Sequence, residues 1–207
     1  MTRERNPPAR VIGILLAGGA GKRFGGGKLL ATLADGTPVG ARAAMNLVAV
    51  LPDTIAVVRP GDDALAAMLR DAGARVSICP ASIEGMGASL AHGVAAADGV
   101  AAGWASGYVV ALADMPWISA ETIGRIKGAI EEGARIAVPR YQGKRGHPVG
   151  FGNGCLKDLL TLSGDAGAKS LIDASRDVRW IDVDDRGVVA DIDLPDDLSR
   201  ASVATTG

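Results

Sequence analysis

Short apolar runs of strand length alternate with stretches of helical periodicity, and this alternation limits the fold more than any other feature of the chain. Arg10–Ala17, Thr54–Arg59, Arg75–Cys79, Tyr108–Ala113 and Arg135–Pro139 read as strands. Pro38–Leu51 and Met86–Ala97 read as helices. Asp62 stands before Leu65, Met68, Leu69 and Ala72, which fall at i, i+3, i+4 and i+7 and are closed by Gly73. Ser119 stands in the same way before Ile123, Ile126 and Ile130, with Gly133 beyond them. Both polar residues are expected to cap their helices. Continuous apolar strands need cover on both faces, and helical crossovers supply it. The expected class is therefore α/β, a three-layer sandwich around a mostly parallel central sheet. Residues 141–190 are less regular and are expected to add shorter strands and a helix, as a substrate-facing lobe on that sheet. No repeat or linker breaks the pattern, so residues 1–207 are expected to form a single domain, with flexible ends at 1–9 and 202–207.

Bulk properties remove several functions. The net charge is −1, which offers no attraction for nucleic acid or for a membrane surface. Cys79 and Cys155 lie far apart, in no disulfide or zinc spacing. Two buried thiols in a reducing compartment, and so a cytoplasmic location, are expected. The segment MTRERNPPAR has no apolar stretch of signal-peptide length. No run reaches the ~18 apolar residues that a membrane helix needs.

Chemistry concentrates after the first strand, in the stretch LLAGGAGKRFGGGK at 15–28. Glycine there lets backbone N–H groups approach phosphate oxygens with no Cβ in the way. Two familiar phosphate loops do not fit. A P-loop needs Ser or Thr after Gly-Lys, whereas Leu29 follows Gly27-Lys28 and Arg23 follows Gly21-Lys22. A dinucleotide fingerprint starting at Gly19 needs glycine at 24, where Phe24 stands. The second strand also ends on Arg59 rather than on an acid for a ribose.

The loop resembles the signature of the MobA-like nucleotidyltransferases, which run L-A-[AG]-G-x-x-x-R-[FM]-G-x-x-K. Further segments are similar to that family in the same order. Glu84–Leu90 (EGMGASL) resembles its base-proximal loop. Leu112–Pro116 (LADMP) resembles its G-D-M-P metal turn, with Ala113 where glycine is usual. Arg145–Val149 (RGHPV) and Gly164–Lys169 (GDAGAK) resemble the acceptor-side segments of molybdenum cofactor cytidylyltransferases. Asp191–Leu198 (DIDLPDDL) resembles its closing D-I-D-T-P-E-D-L. The matches run from 12 to 198. The resemblance implies a Rossmann-like, nucleotide-diphospho-sugar-transferase-like fold. It also implies transfer of a nucleoside monophosphate from an NTP to a phosphate-bearing acceptor, with release of pyrophosphate.

Residue chemistry agrees with that implication. Concentrated phosphate charge calls for cations and donors rather than a side-chain nucleophile. A phosphomonoester, with a second pKa near ~6, is already mostly dianionic and needs no general base. Arg23, Lys28 and Asp114 are the expected catalytic residues, with Lys22 a weaker candidate. Leu16, Ala17, Gly18, Gly19, Ala20, Gly21, Lys28, Arg59, Gly87 and Ser89 form the expected nucleotide-binding set. Arg145, His147 and Asp165 are expected to hold the acceptor. Asp114, ending an apolar strand, is the expected Mg²⁺ ligand. Asp191 is second and Asp193 next in line, one of the two facing the metal.

Base and acceptor are weighed from separate residues. Gly18 gives LAGG, more typical of guanylyltransferases, whereas the three downstream segments look cytidylyl-like. The reading adopted is transfer of CMP from CTP to the phosphate of molybdenum cofactor (molybdopterin). GTP, a sugar- or polyol-phosphate acceptor, or a non-catalytic nucleotide-binding helper of a client molybdoenzyme are the alternatives. Neither a nucleic-acid nor a membrane partner is expected.

Overall fold

The computed structural model describes residues 10–19, 21–165 and 167–200. The expected flexible ends at 1–9 and 202–207, and the expected nucleotide contact at Ala20, lie outside the described residues. Among the described residues eight strands form one sheet: β1 (Arg10–Leu16), β2 (Thr54–Val58), β3 (Arg75–Ile78), β4 (Ala105–Leu112), β5 (Ile136–Tyr141), β6 (Lys144–Arg145), β7 (Val149–Gly152) and β8 (Arg179–Asp182). Their order is β3-β2-β1-β4-β7-β5-β6, with β8 on β5. β3, β2, β1 and β4 pair in parallel, as do β5 and β8. β7 runs antiparallel between β4 and β5, and β6 antiparallel on β5.

Among the described residues seven α-helices flank the sheet: α1 (Val39–Val50), α2 (Asp63–Asp71), α3 (Met86–Ala101), α4 (Ala120–Glu131), α5 (Leu156–Leu160), α6 (Lys169–Ala174) and α7 (Asp197–Arg200). Side chains of a strand alternate between faces, and β1 shows the result. Val11 and Leu15 join the core under α1, α2 and α4, while Ile12, Ile14 and Leu16 join the core under α3, α5 and α6. All of these β1 side chains are at most 9% exposed. Burying one such aliphatic side chain is worth roughly 1.5–3 kcal/mol, so β1 is the spine that both layers hold.

Two local expectations meet different outcomes. Ser119 accepts a hydrogen bond from the Thr122 N–H at 3.1 Å and caps α4. Asp62 occupies the N-cap position of α2 but makes no capping bond. Its carboxylate instead takes Arg59 Nε at 2.7 Å and Nη2 at 3.4 Å. A guanidinium fork is a stronger partner for a carboxylate than a neutral backbone N–H. The irregular region holds β6, β7, α5, α6 and β8, continuous with the sheet as expected.

α3 sits close on the sheet at Gly93. A Cβ built there would stand 2.8 Å from Val57 Cγ2 and 2.9 Å from Ile14 Cγ2. Replacing Gly93 with alanine forces this layer apart. A loss of about 1–3 kcal/mol in denaturant unfolding is expected, the usual cost of overpacking. An unchanged midpoint would contradict the packing described.

Candidate active site

The parallel pairing of β1 and β4 ends both strands at one level. Leu16 pairs with Leu112, and the Ala113 N–H donates to the Leu16 carbonyl at 3.0 Å. The glycine loop after β1 and Asp114 after β4 therefore emerge side by side, at the carboxyl edge where α/β sheets gather ligands. Between them lies a cavity of about 580 Å³. Leu16, Ala17, Gly18 and Gly19 form one wall, and Lys28, Arg59, Ser89, Asp114 and Asp165 contribute to the rest. Gly85, Met86 and Leu112, from the marked segments at 84–90 and 112–116, also line it, as do Leu29, Ser82 and Ile83. Ser82 and Ile83 give no motif signal, because they sit in a short 3-10 turn ahead of α3.

The loop reaches its shape through backbone conformation. Gly25, Gly26 and Gly27 have φ of 89°, 95° and 65°, a region costly for other residues. Their turn closes through the Gly26 N–H donating to the Gly21 carbonyl at 3.2 Å. It delivers Lys28 into a 3-10 turn whose Leu29 is 8% exposed. Burying Leu29 supplies roughly 2 kcal/mol, comparable to the entropy of fixing one or two residues. The loop is thus pinned where Lys28 departs. Gly21 and Gly27 line a smaller recess of about 90 Å³ that shares Gly19, Lys28, Leu29 and Arg59 with the main cavity.

Charge is arranged around Lys28. Its Nζ donates to Asp114 Oδ2 at 2.8 Å and to Asp193 Oδ1 at 3.4 Å. Arg23 Nη1 donates to Asp193 Oδ2 at 3.1 Å from an exposed position. Burial acts most strongly on Lys28 and pulls its pKa down, but the bonds and charges of Asp114 and Asp193 together raise it. The lysine stays charged across the neutral range. Its stabilising contribution is lost only as pH rises through that raised folded value. The second oxygen of Asp114, Oδ1, is buried with no protein partner.

Asp191 and Asp193 flank Ile192, which is 0% exposed and whose N–H donates to the Asp114 carbonyl at 3.0 Å. Asp193 shares the Lys28 ammonium with Asp114, and Asp191 feels the charges of both. Burial raises the Asp191 pKa, and the charges of Asp193 and Asp114 raise it further.

The acceptor-side residues are less gathered. Arg145 Nη1 donates to Asp173 at 2.9 Å and lines neither cavity. The backbone N–H of His147 donates to the Val188 carbonyl at 2.9 Å, and its ring Nδ1 is buried without a partner. Burial lowers the His147 pKa; the Asp114 charge opposes this and the Arg145 charge adds to it. Gly87 does not line the cavity. Its N–H is used by the Gly164 carbonyl at 2.7 Å, and no Cβ would fit against the Ser163–Gly164 backbone. Ser89 is 5% exposed and its hydroxyl donates to the Gly85 carbonyl at 3.3 Å.

Two residues that position the site escaped the sequence reading. Asn46 on α1 donates both amide hydrogens, to the Pro116 and Ile118 carbonyls, each at 3.0 Å. Asp185 accepts from the Ser119 N–H at 2.9 Å, the Thr122 hydroxyl at 2.7 Å and the Gly187 N–H at 2.9 Å. Together they clamp the turn that carries Asp114. Their partners are mostly backbone groups distant in sequence, which leave no motif.

The donors fit a hard divalent cation. Among the described residues no three His, Cys, Asp or Glu side chains gather as a metal cage. Mg²⁺, however, takes one or two carboxylates and completes its shell with water and substrate phosphates. Asp114, which lines the cavity, is the carboxylate such an ion would use. Among the described residues no helix is long and apolar enough to cross a membrane, and Cys79 and Cys155 are free and buried.

Comparison with known proteins matches residues 13–178 to the MobA-like NTP transferase domain. Nicotine blue oxidoreductase of Paenarthrobacter nicotinovorans is 32% identical over 203 residues, 92% of this chain and 95% of that protein. Among solved structures, the Rv0371c homologue from Mycobacterium sp. strain JC1 is similar at 30% identity and a TM-score of 0.76, covering 94% of this chain and 96% of that one. Rv0371c of Mycobacterium tuberculosis H37Rv in complex with manganese is similar at 28% identity and a TM-score of 0.72, covering 93% and 97%.

A carboxyl whose folded pKa is raised is destabilising when ionised and stops being so once protonated. Asp191→Asn is therefore expected to raise the Tm of the metal-free protein at pH 7. The gap to wild type should close as pH falls through the raised Asp191 pKa. A lower Tm for the variant at pH 7 would contradict the crowding of these carboxylates.

Proposed function

The chain belongs to the MobA-like NTP transferase family, and from that membership we propose that it transfers CMP from CTP to the terminal phosphate of a molybdopterin-type cofactor, releasing pyrophosphate. The observation that carries nucleotidyl transfer is Asp114, which lines the cavity together with the glycine loop and takes the Lys28 ammonium at 2.8 Å. The cytidylyl and molybdopterin choices rest on the segments at 84–90, 145–149 and 164–169, and they outweigh Gly18.

In this reading the backbone of Ala17–Gly19 holds the nucleotide, and Lys28, Arg23 and Arg59 carry charge opposite its phosphates. An acceptor phosphate oxygen forms a bond to the α-phosphorus. The bond from that phosphorus to the bridging oxygen breaks, and pyrophosphate leaves with the electron pair. The acceptor is already mostly dianionic, so no side chain need take a proton. Asp114, with Asp193 or Asp191, would hold a divalent ion such as Mg²⁺, which when bound supplies positive charge against the phosphate oxygens. Asp165, at the rim of the cavity, is available to accept from an amide edge of the acceptor.

Gly18 makes base choice testable. A Cβ there would lie 3.5 Å from Ser82 Cβ and 3.5 Å from Ser89 Oγ, ordinary contact distances. Glycine leaves a methyl-sized gap at that wall. Gly18→Ala should therefore keep its stability within about 0.5 kcal/mol and raise the ratio of CTP to GTP use.

One comparison favours a second reading. A relative named nicotine blue oxidoreductase shares 32% identity with this chain, so redox turnover of nicotine blue belongs in the same assay. Pyrophosphate release is to be measured with CTP or GTP, Mg²⁺ and purified molybdopterin. Release with CTP is expected, and Asp114→Asn should lower kcat by about a hundredfold or more with the fold intact. Clear GTP preference would overturn the base, a sugar phosphate acting as the better acceptor would overturn molybdopterin, and redox turnover of nicotine blue without pyrophosphate would favour the redox reading.

A further inference from the structure

The protein already holds a cation where its fold gathers carboxylates. Lys28 Nζ bridges Asp114 Oδ2 at 2.8 Å and Asp193 Oδ1 at 3.4 Å, joining two chain segments far apart in sequence. The Lys28 side chain is only 11% exposed, so this is not a solvated surface pair. Asp114 keeps its other oxygen buried and unpartnered. A divalent ion seeks the same carboxylates. An ammonium and a divalent ion on one carboxylate pair repel at a few ångströms, where partial burial weakens the screening.

Lys28 has a second place to go. It lines both the main cavity and the adjoining recess, along with Gly19 and Arg59. A four-carbon stem can swing its ammonium between neighbouring anions with no movement of the backbone. The pinned Leu29 keeps that backbone in place.

We propose that Lys28 is a place-holding cation, which neutralises Asp114 and Asp193 in the free protein and passes to the phosphate chain when a divalent ion and a triphosphate arrive. This rests on the metal-dependent reading above. Two consequences follow from charge alone. The free protein is a poor metal binder, because Lys28 competes for the site. Metal and nucleotide bind cooperatively, because a triphosphate draws Lys28 away from the carboxylates that the metal needs, and by linkage the metal does the same for the triphosphate.

The test is Mn²⁺ binding followed by electron paramagnetic resonance, without acceptor and without turnover. Lys28→Met, shown to be folded by circular dichroism, is expected to bind Mn²⁺ roughly tenfold more tightly than wild type in the absence of nucleotide. It should also lose most of the tightening that a non-hydrolysable CTP analogue produces in wild type. Unchanged or weaker Mn²⁺ binding by the folded variant would overturn the proposal. The wild-type protein gives an independent readout through the ¹⁵N-labelled Lys28 ammonium signal. That signal should shift when Mg²⁺ and the analogue are added together, and an unmoved signal at saturating ligand would overturn the exchange. If neither protein binds Mn²⁺, with or without the analogue, the metal site itself falls and this proposal with it.

Discussion

β1 and β4 lie side by side, parallel and in register to their last residues, and the placement of every other functional group depends on that pairing. The Leu16 carbonyl receives the Ala113 N–H, so the chain leaves both strands at one height. The glycine loop and Asp114 then share one edge of the sheet. Helices on both faces bury β1 from Val11 to Leu16, and moving either strand by one residue would turn its side chains to the wrong core. The geometry of the site is therefore inherited from hydrophobic packing. Asn46 and Asp185 refine it by holding the turn after Asp114.

Charge explains why this edge needs Lys28. Asp114 and Asp193 meet at Lys28, and burial, with the charges of these two neighbours, raises the Asp191 pKa. Without a cation between Asp114 and Asp193 the arrangement would be costly to hold. The carboxylates of Asp114 and Asp193 are thus stabilised by a residue on the glycine loop itself. The same side chain neutralises these carboxylates and lines the cavity, and the glycines at 25–27 with the buried Leu29 fix where it starts.

Much of this was legible in sequence because it depends on local pattern. The strands β1, β2 and β4 are apolar runs whose ends fall within a few residues of those read from sequence, and Ser119 caps α4 as its position suggests. Asp62 shows where local rules stop: it occupies the cap position, but Arg59 is the stronger partner. β7 was not separately legible. Val149–Gly152 is four residues with two glycines, and only its antiparallel pairing between β4 and β5 makes it a strand. Asn46, Ser82 and Asp185 carry no motif because they act through backbone carbonyls and amides, or through a cavity wall, brought close by tertiary structure. Gly87 fits its motif for another reason, close approach to the 163–164 backbone.

The central claim is that this edge of the sheet moves a nucleoside monophosphate, breaking the triphosphate between its α- and β-phosphorus. Parallel reactions with CTP labelled at the α- or at the γ-phosphate, with Mg²⁺ and molybdopterin, test that most directly. The account predicts α-label in the acceptor product and γ-label in pyrophosphate. Label from the γ-position in the acceptor, or no transfer of either label by the folded protein, would contradict it.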